Sequence, residues 1–310
     1  MTLPDNTIFS IHKLRGLDPD NLLAFLALIG FLRALVRSRP EWKPKIYWGG
    51  KPPRAMLILS LRNSTPNGVI EAAEQGICEL GTTYEFDRPN ITFSTREFRI
   101  FADSASGKRE KAMLIAALAS DGAVKRDKKE YVEPTPLCAM FGQGHQDFLS
   151  RLKAMATRCD LANCRNLSQA LFEPWTYVDG SEGFRWDPIE DRRYALQFGN
   201  PSDSKNKVGT VTGANRLAAI GFGLLTCVPT SSGLVTLGVA GQRRERDVCW
   251  PLVAVPTTLA GYLALLAHPF IGDEKKAPSL SAYGVTAVAR SRRFQVGKYF
   301  NFERARVQFF

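Results

Sequence analysis

The sequence predicts an α+β fold built from two similar units, and three observations lead to this prediction. The pattern Leu-Ala-x-Ile-Gly-Phe occurs at 26–31 and again at 217–222. Each copy lies in a stretch with helical periodicity, and strand-like stretches flank both copies. Apolar residues make up 45% of the 310 residues and charged residues 23%, as in ordinary globular proteins.

The first unit begins with alternating residues at 7–14, which predict a strand. A helix follows, with Asp18 as its N-cap, Pro19 in its first turn and Pro40 beyond its end. The remaining predicted elements are strands at 45–49 and 55–61, a helix at 65–80, and strands at 82–86 and 97–102. The order is therefore β-α-β-β-α-β.

The second unit shows the same order around the second copy of the pattern. Its predicted elements are a strand at 191–198, a helix at 213–226, strands at 233–241 and 247–255, a helix at 257–267, and strands at 284–290 and 294–300. Thr257 or Thr258 is placed to cap the second helix. This element order is that of ferredoxin-like units, and its repetition favours a duplication.

The predicted organisation is thus two ferredoxin-like units, 1–102 and 181–310, joined by a mainly helical insertion. The insertion, 103–180, has helical periodicity at 107–122 and 145–159 and a charged loop at 123–136. We expect Gly30 and Gly221 to let the two repeated helices pack closely on their sheets.

The overall composition excludes several classes of protein. The N-terminal residues do not have the order of a secretory signal, and the longest apolar run, 22–32, is about half the length that a bilayer requires. Six cysteines show no Cys-x-x-Cys pair, so we expect reduced thiols rather than a zinc site. These observations predict a cytoplasmic protein with no membrane partner.

The net charge is +11, and the last thirty residues hold six basic residues but one acidic residue. Basic residues in such a cluster favour a polyanionic partner, because each phosphate contact releases condensed counterions. In this segment aromatic residues that could stack on bases lie among the cations. The candidate nucleic-acid contacts here are Arg290, Arg292, Arg293, Phe294, Lys298, Tyr299, Arg304 and Arg306, and alternation places about half of the aromatic side chains in the core.

A second candidate site precedes the helix that carries the second copy of the pattern. Lys205 and Lys207 lie in a polar stretch, and Asn215 and Arg216 follow Gly213 in the first turn of the helix. The free amides of a helix start attract phosphate groups. The same residues would also suit an ordinary surface loop.

Catalytic patterns are scarce in this sequence. His12 could be a general base for RNA cleavage, although a histidine within a strand is more often structural. The acids between 182 and 191 could bind magnesium, but they alternate with arginines, which favours ion pairs. Ser-Gly-Lys at 106–108 lacks the spacing of a phosphate-binding loop. We therefore predict no metal and no cofactor.

Four stretches carry a resemblance to a known family. They are "HKLRGLDPDNLLAFLALIGFLRAL", "FRWDPIEDRRYAL", "TGANRLAAIGF" and "GVTAVARSRRFQVGKYFNF". In this order they resemble CRISPR-associated proteins of type I-G loci, formerly called type I-U, either the accessory or the large-subunit-like component. The resemblance covers both ends of the chain but not 103–180, and it carries no catalytic motif.

This resemblance implies a non-catalytic subunit or accessory of an RNA-guided interference complex (Cascade) in antiviral defence. Its implied partners are crRNA, target DNA or both, and other CRISPR-associated subunits. Two alternatives stay open. The chain could be a metal-independent endoribonuclease that processes precursor crRNA with His12 as the base, or a protein–protein adaptor whose basic end binds an acidic partner.

Overall fold

The longest apolar run forms helix α1 (Leu22–Ser38), which is buried from Leu22 to Leu35. A computed structural model shows the fold and describes residues 9–126, 130–139, 147–159, 164–180, 183–190, 209–242, 245–296 and 299–310. Asn21, and not Asp18, caps α1 by accepting the Ala24 N–H at 3.3 Å. The Asp18 carboxylate is paired with Arg54 instead of capping the helix.

The first sheet lies against this helix. Its strands are β1 (Ser10–Leu14), β2 (Lys45–Gly49) and β3 (Arg54–Leu59). Strand β3 lies between β1 and β2 and is antiparallel to both, so β1, α1 and β2 form a split β-α-β unit. Helix α2 (Pro66–Gly81) follows, with Thr65 as its N-cap.

Two strands predicted for the first unit are not strands in the structure. Residues 82–86 have no regular structure, and 97–102 lie in helix α3 (Thr95–Asp103). A capping box explains the second correction: Ser94 Oγ accepts the Glu97 N–H, and the Glu97 carboxylate accepts the Ser94 N–H. These bonds satisfy donors at the helix start, whereas six residues are too few for their alternation to define a strand.

The middle of the chain is less helical than predicted. Its elements are α4 (Arg109–Leu118), β4 (Ala119–Arg126), β5 (Glu130–Pro134), α5 (Phe148–Ala156) and α6 (Arg165–Phe172). The charged stretch predicted as a loop, 123–136, contributes to the antiparallel β4–β5 hairpin. Val124 pairs with Val132, so Ala123 and Val132 lie on opposite faces of the hairpin, and burial of both accounts for a strand pair that is covered on each side.

The second half adds a helix, a small hairpin and a larger sheet. The elements are α7 (Thr212–Phe222), β6 (Cys227–Thr230), β7 (Gly233–Thr236), β8 (Val239–Gln242), β9 (Glu245–Val253), β10 (Thr257–Thr258), α8 (Leu259–Ala267), β11 (Val285–Val296), β12 (Tyr299–Phe302) and β13 (Arg306–Phe309). The larger sheet has the order β12-β11-β9-β8, and β13 also pairs with β11. Strand β10 pairs with β2 of the first sheet.

The architecture is therefore α+β, as predicted, but the strands of the described residues do not confirm two ferredoxin-like units. Within the described residues, 233–241 is divided between β7 and β8, and Val285–Val296 forms one continuous strand. The predicted strand at 191–198 lies outside the described residues. Thr258 caps α8, which confirms one of the two expected caps.

The two copies of the repeated pattern pack against each other. A Cβ on Gly30 of α1 would lie 1.8 Å from the carbonyl oxygen of Leu217, and a Cβ on Gly221 of α7 would lie 2.2 Å from that of Leu26. No side chain fits at such distances, so glycine is required at both positions. The two glycines therefore allow α1 and α7 to pack closely on each other, whereas we expected them to allow each helix to pack closely on its sheet.

A continuous hydrophobic core runs through all three predicted segments, with Leu57, Leu152 and Trp250 as examples. A disulfide between Cys78 of α2 and Cys159 ties the first segment to the middle of the chain, where we expected reduced thiols. Among the helices described, none has the length and apolar character needed to cross a membrane.

Candidate functional site

Strand β11 divides the basic residues of the C-terminal segment between two faces of its sheet. Successive side chains of a strand point to opposite faces, so Arg290 and Arg292 share one face and Arg293 lies on the other. The face of Arg293 also carries Trp250, which stacks on Phe25 of α1 with 5.0 Å between ring centroids. We call this the inner face and the opposite one the outer face.

Two arginines of the outer face are well exposed. The Arg292 side chain is 58% exposed, and its Nε lies 3.7 Å from Asp247 Oδ1. Arg306 of β13 is 72% exposed, and its Nη2 lies 3.7 Å from Glu274 Oε1. Exposed ion pairs of this kind contribute about 0–1 kcal/mol, so a phosphate group can replace either carboxylate at little cost.

Arg304 is a third exposed arginine, between β12 and β13. Its Nη1 lies 2.9 Å from Asp20 Oδ2, and its side chain is 61% exposed. With Arg292 and Arg306 it forms a group that we call the exposed arginines. Phe294, also on the outer face, is half-buried. Lys205, Lys207, Lys298 and the side chain of Tyr299 lie outside the described part of the chain.

Arg290 has a different environment, although it shares the outer face. Its guanidinium is buried and donates to the carbonyl oxygens of Gly272 at 2.9 Å and Ile271 at 3.4 Å. A third contact, at 3.3 Å, is with the Cys249 sulfur. Arg290 therefore holds the segment around 271–272 on the sheet, and in this conformation it is not open to a phosphate group.

The predicted site at the start of α7 is also enclosed. Asn215 is fully buried, and its Nδ2 donates to Thr210 Oγ1 at 2.8 Å. The Arg216 guanidinium makes two hydrogen bonds to the Glu74 carboxylate in the core. A Cβ on Gly213 would lie 2.0 Å from the Asn166 carbonyl oxygen, because α6 packs on this turn. The expected open helix start is thus a packed one, and Asn215 and Arg216 stabilise the core.

His12 lies on the covered side of the first sheet and is 7% exposed. Its Nε2 is 2.6 Å from Ser64 Oγ, and its ring meets Phe172 edge-on. Burial lowers the pKa of His12 below its usual 6.5. A general base must reach the proton that it removes, and this enclosed position is typical of a structural histidine.

One group of potential metal ligands occurs among the described residues: Glu74, Cys78 and Cys159, with ligand atoms within 4.8 Å of one another. The two sulfur atoms are bonded to each other, and Arg216 binds the Glu74 carboxylate. All three groups therefore have partners that a metal would have to displace.

An open groove of about 560 Å³ lies away from the exposed arginines, with Phe93 and Phe101 among its lining residues. Its cations Arg88, Lys111 and Lys153 are matched by the acids Glu85, Asp87 and Glu97. This balance gives the groove no preference for an anion.

Sequence reasoning missed a buried charged cluster on the inner face. Glu133 of β5 accepts hydrogen bonds from Arg246 Nη2 at 2.9 Å and from the Leu234 N–H at 3.3 Å. Lys125 Nζ lies 3.1 Å from the same carboxylate. Arg246 and Leu234 lie 113 and 101 residues from Glu133 in the sequence, so no local pattern could have identified the cluster.

Comparison with protein-family models, with curated proteins and with solved structures gives no match for this chain.

Proposed function

We propose that this chain is a non-catalytic, nucleic-acid-binding subunit or accessory of a type I CRISPR RNA-guided interference complex (Cascade). In this role it contacts crRNA, target DNA or both, together with other subunits, in the cytoplasm. The observation that carries the proposal is the group of exposed arginines: Arg292 and Arg306 on the outer face of one sheet, and Arg304 in the connection between β12 and β13. The resemblance in the sequence supplies the biological setting.

The electrostatics favour a polyanion over a neutral partner. The chain has a net charge of +11, and each exposed arginine is paired with a carboxylate that is itself at least 23% exposed. Exchange of such a carboxylate for a phosphate loses little interaction free energy, while release of counterions from the nucleic acid provides a gain in entropy. An acidic protein partner would lack the condensed counterions of a nucleic acid, so the salt dependence of binding separates these two cases.

The nuclease alternative receives no support from the position of His12. His12 is 7% exposed, and its side chain shares a hydrogen bond with Ser64. Incubation of labelled repeat RNA with the chain in EDTA tests this directly. We expect intact RNA, and specific cleavage that disappears in His12→Ala would replace the proposal with the nuclease.

The main experiment measures the affinity for labelled single-stranded RNA and DNA by fluorescence anisotropy over a range of salt concentrations. We expect the double variant Arg292→Ala/Arg306→Ala to bind more weakly and its slope of log K against log salt to be shallower by about 1.4, because about 0.7 is lost per phosphate contact. The control is Arg37→Ala/Arg99→Ala, whose side chains are 51% and 65% exposed and also paired with acids.

The control removes the same net charge from a comparable pair of exposed sites elsewhere on the protein. Equal losses for the two double variants would show that only net charge matters and would overturn the assignment of the site. Absence of binding by the wild-type chain at low salt would overturn the proposed function.

A further inference from the structure

The inner face holds an excess of positive charge beside β5. Arg293 of β11 and Arg246 of β9 are directly opposite in the antiparallel register, so their side chains leave the same face. Lys125 adds a third cation, and Glu133 supplies the one carboxylate that contacts this cluster among the described residues. We call these four residues the inner cluster.

Glu133 is already fully engaged. One of its oxygens contacts both Arg246 and Lys125, and the other accepts the Leu234 N–H. Its pKa is lowered, because these contacts outweigh the effect of its burial. Glu133 is therefore ionised at neutral pH, and it offsets one of the three positive charges.

Arg293 lacks a counter-charge. No carboxylate of the described residues lies within 4.0 Å of its guanidinium, and its buried Nε has no hydrogen-bond partner there. The guanidinium lies over the ring of Phe300, with Cζ 3.7 Å from the ring centroid. A guanidinium that lies over a ring keeps its N–H donors at its edge, where an anion can accept their hydrogen bonds.

Burial of this cation is costly without an anion. Desolvation, and then the charge of Arg246, lowers the pKa of Arg293 to about 10. The side chain is nevertheless partly exposed, as is that of Phe300. An anion from solution can therefore reach a donor group that is already oriented and poorly solvated.

We propose that Arg293, oriented by Phe300 and supported by the charge of Arg246, is a phosphate-binding subsite of this protein. This inference rests on the proposed function, because it takes the physiological ligand to be a phosphate group of a bound RNA or DNA strand. A planar guanidinium offers two parallel N–H donors, which match two phosphate oxygens. Because the subsite is on the inner face, its contact is separate from those of the exposed arginines.

The test uses Arg293→Gln, with Arg99→Gln as the control. The control removes the same charge outside the proposed interface, at a side chain that is 65% exposed and paired with Asp121. We expect Arg293→Gln to weaken binding of single-stranded RNA about tenfold or more, as for loss of a hydrogen bond to a charged group. The control should cause a smaller loss.

A second measurement separates binding from a structural role of Arg293. Inorganic phosphate should raise the melting temperature of the wild-type chain more than chloride does at equal ionic strength, and Arg293→Gln should abolish the difference. In phosphate-free buffer Arg293→Met should melt no lower than wild type, because it removes a cation that lacks a counter-charge. A clear fall in melting temperature would show that Arg293 is structural and would overturn the subsite.

The outcomes distinguish this inference from the proposed function. If RNA binds and Arg293→Gln matches the Arg99→Gln control, the subsite is refuted and the proposed function stands. If no RNA or DNA binds but phosphate protection depends on Arg293, the proposed function is refuted and the subsite serves free phosphate. Dependence of both measurements on Arg293 supports the nucleic-acid backbone as the source of the phosphate.

Discussion

Replacement of Gly30 by alanine tests the contact between α1 and α7 most directly. The new Cβ would lie 1.8 Å from the Leu217 carbonyl oxygen and 2.8 Å from the Gly221 nitrogen, both of them backbone atoms. An ordinary contact needs about 3.4 Å, so the helices must separate by more than 1 Å. Separation would also strain the hydrogen bond from Arg33 Nη1 to the Ile220 carbonyl oxygen, now 2.8 Å.

The expected effect is the balance of two opposing contributions. Alanine in place of glycine stabilises a helix by about 0.5–1 kcal/mol. Overpacking of a tight core costs about 1–3 kcal/mol or more, and here the lost hydrogen bond adds about 1 kcal/mol. We therefore expect Gly30→Ala to lower the free energy of unfolding by about 1–3 kcal/mol in urea denaturation.

A matched control is available in α2. A Cβ on Gly68 would meet Thr65 Oγ1 at 3.4 Å, an ordinary contact, and the capping N–H is retained in alanine. Gly68→Ala should therefore be neutral or slightly stabilising. Gly221→Ala should lower the free energy of unfolding about as much as Gly30→Ala. The double variant should lower it by less than the sum of the two single changes, because one separation of the helices relieves both close contacts. Equal stability of Gly30→Ala and Gly68→Ala would refute the reasoning.

Three further predictions concern buried groups. Arg216→Met should lower the free energy of unfolding by about 3–5 kcal/mol in urea, because it leaves the Glu74 carboxylate buried without its partner; a change below 1 kcal/mol would contradict this. Reduction of the Cys78–Cys159 disulfide should cost about 2–4 kcal/mol, and a variant with serine at both positions should be insensitive to reductant. The pKa of His12 is lowered in the folded state. Its contribution to the free energy of unfolding is therefore complete above pH 6.5, the usual pKa, and is lost as the pH falls through the lower pKa of the folded state. His12→Gln should flatten the pH dependence of the melting temperature between pH 7 and pH 5, and an unchanged profile would count against burial of the histidine.

Local sequence patterns predicted several elements well. Strand β2 has the predicted bounds, and Thr258 caps a helix as its position indicated. The helix at 95–103 was missed although its capping box, Ser94 with Glu97, can be recognised in the sequence. The six residues interpreted as a strand were too few to separate a period of 2 from one of 3.6.

The candidate site was harder to predict, because exposure depends on tertiary packing. Arg290 and Arg292 are two residues apart on the same face, yet the segment around 271–272 covers only the first. Arg216 pairs with Glu74, which is separated from it by 142 positions in the sequence, and no local pattern indicates that pair. Composition and alternation could therefore identify a basic, aromatic segment but not which of its cations would remain open.

The contact between the repeated helices has a consequence for how the two halves depend on each other. Leu26 corresponds to Leu217 in the repeated pattern, and Gly30 to Gly221. Gly30 meets Leu217 and Gly221 meets Leu26, which is the reciprocal relation of an isologous dimer interface. Each half thus occupies the position of the other's symmetry mate within one chain. Alone, the first half would expose an apolar helix that is buried from Leu22 to Leu35, so the halves form one cooperative unit.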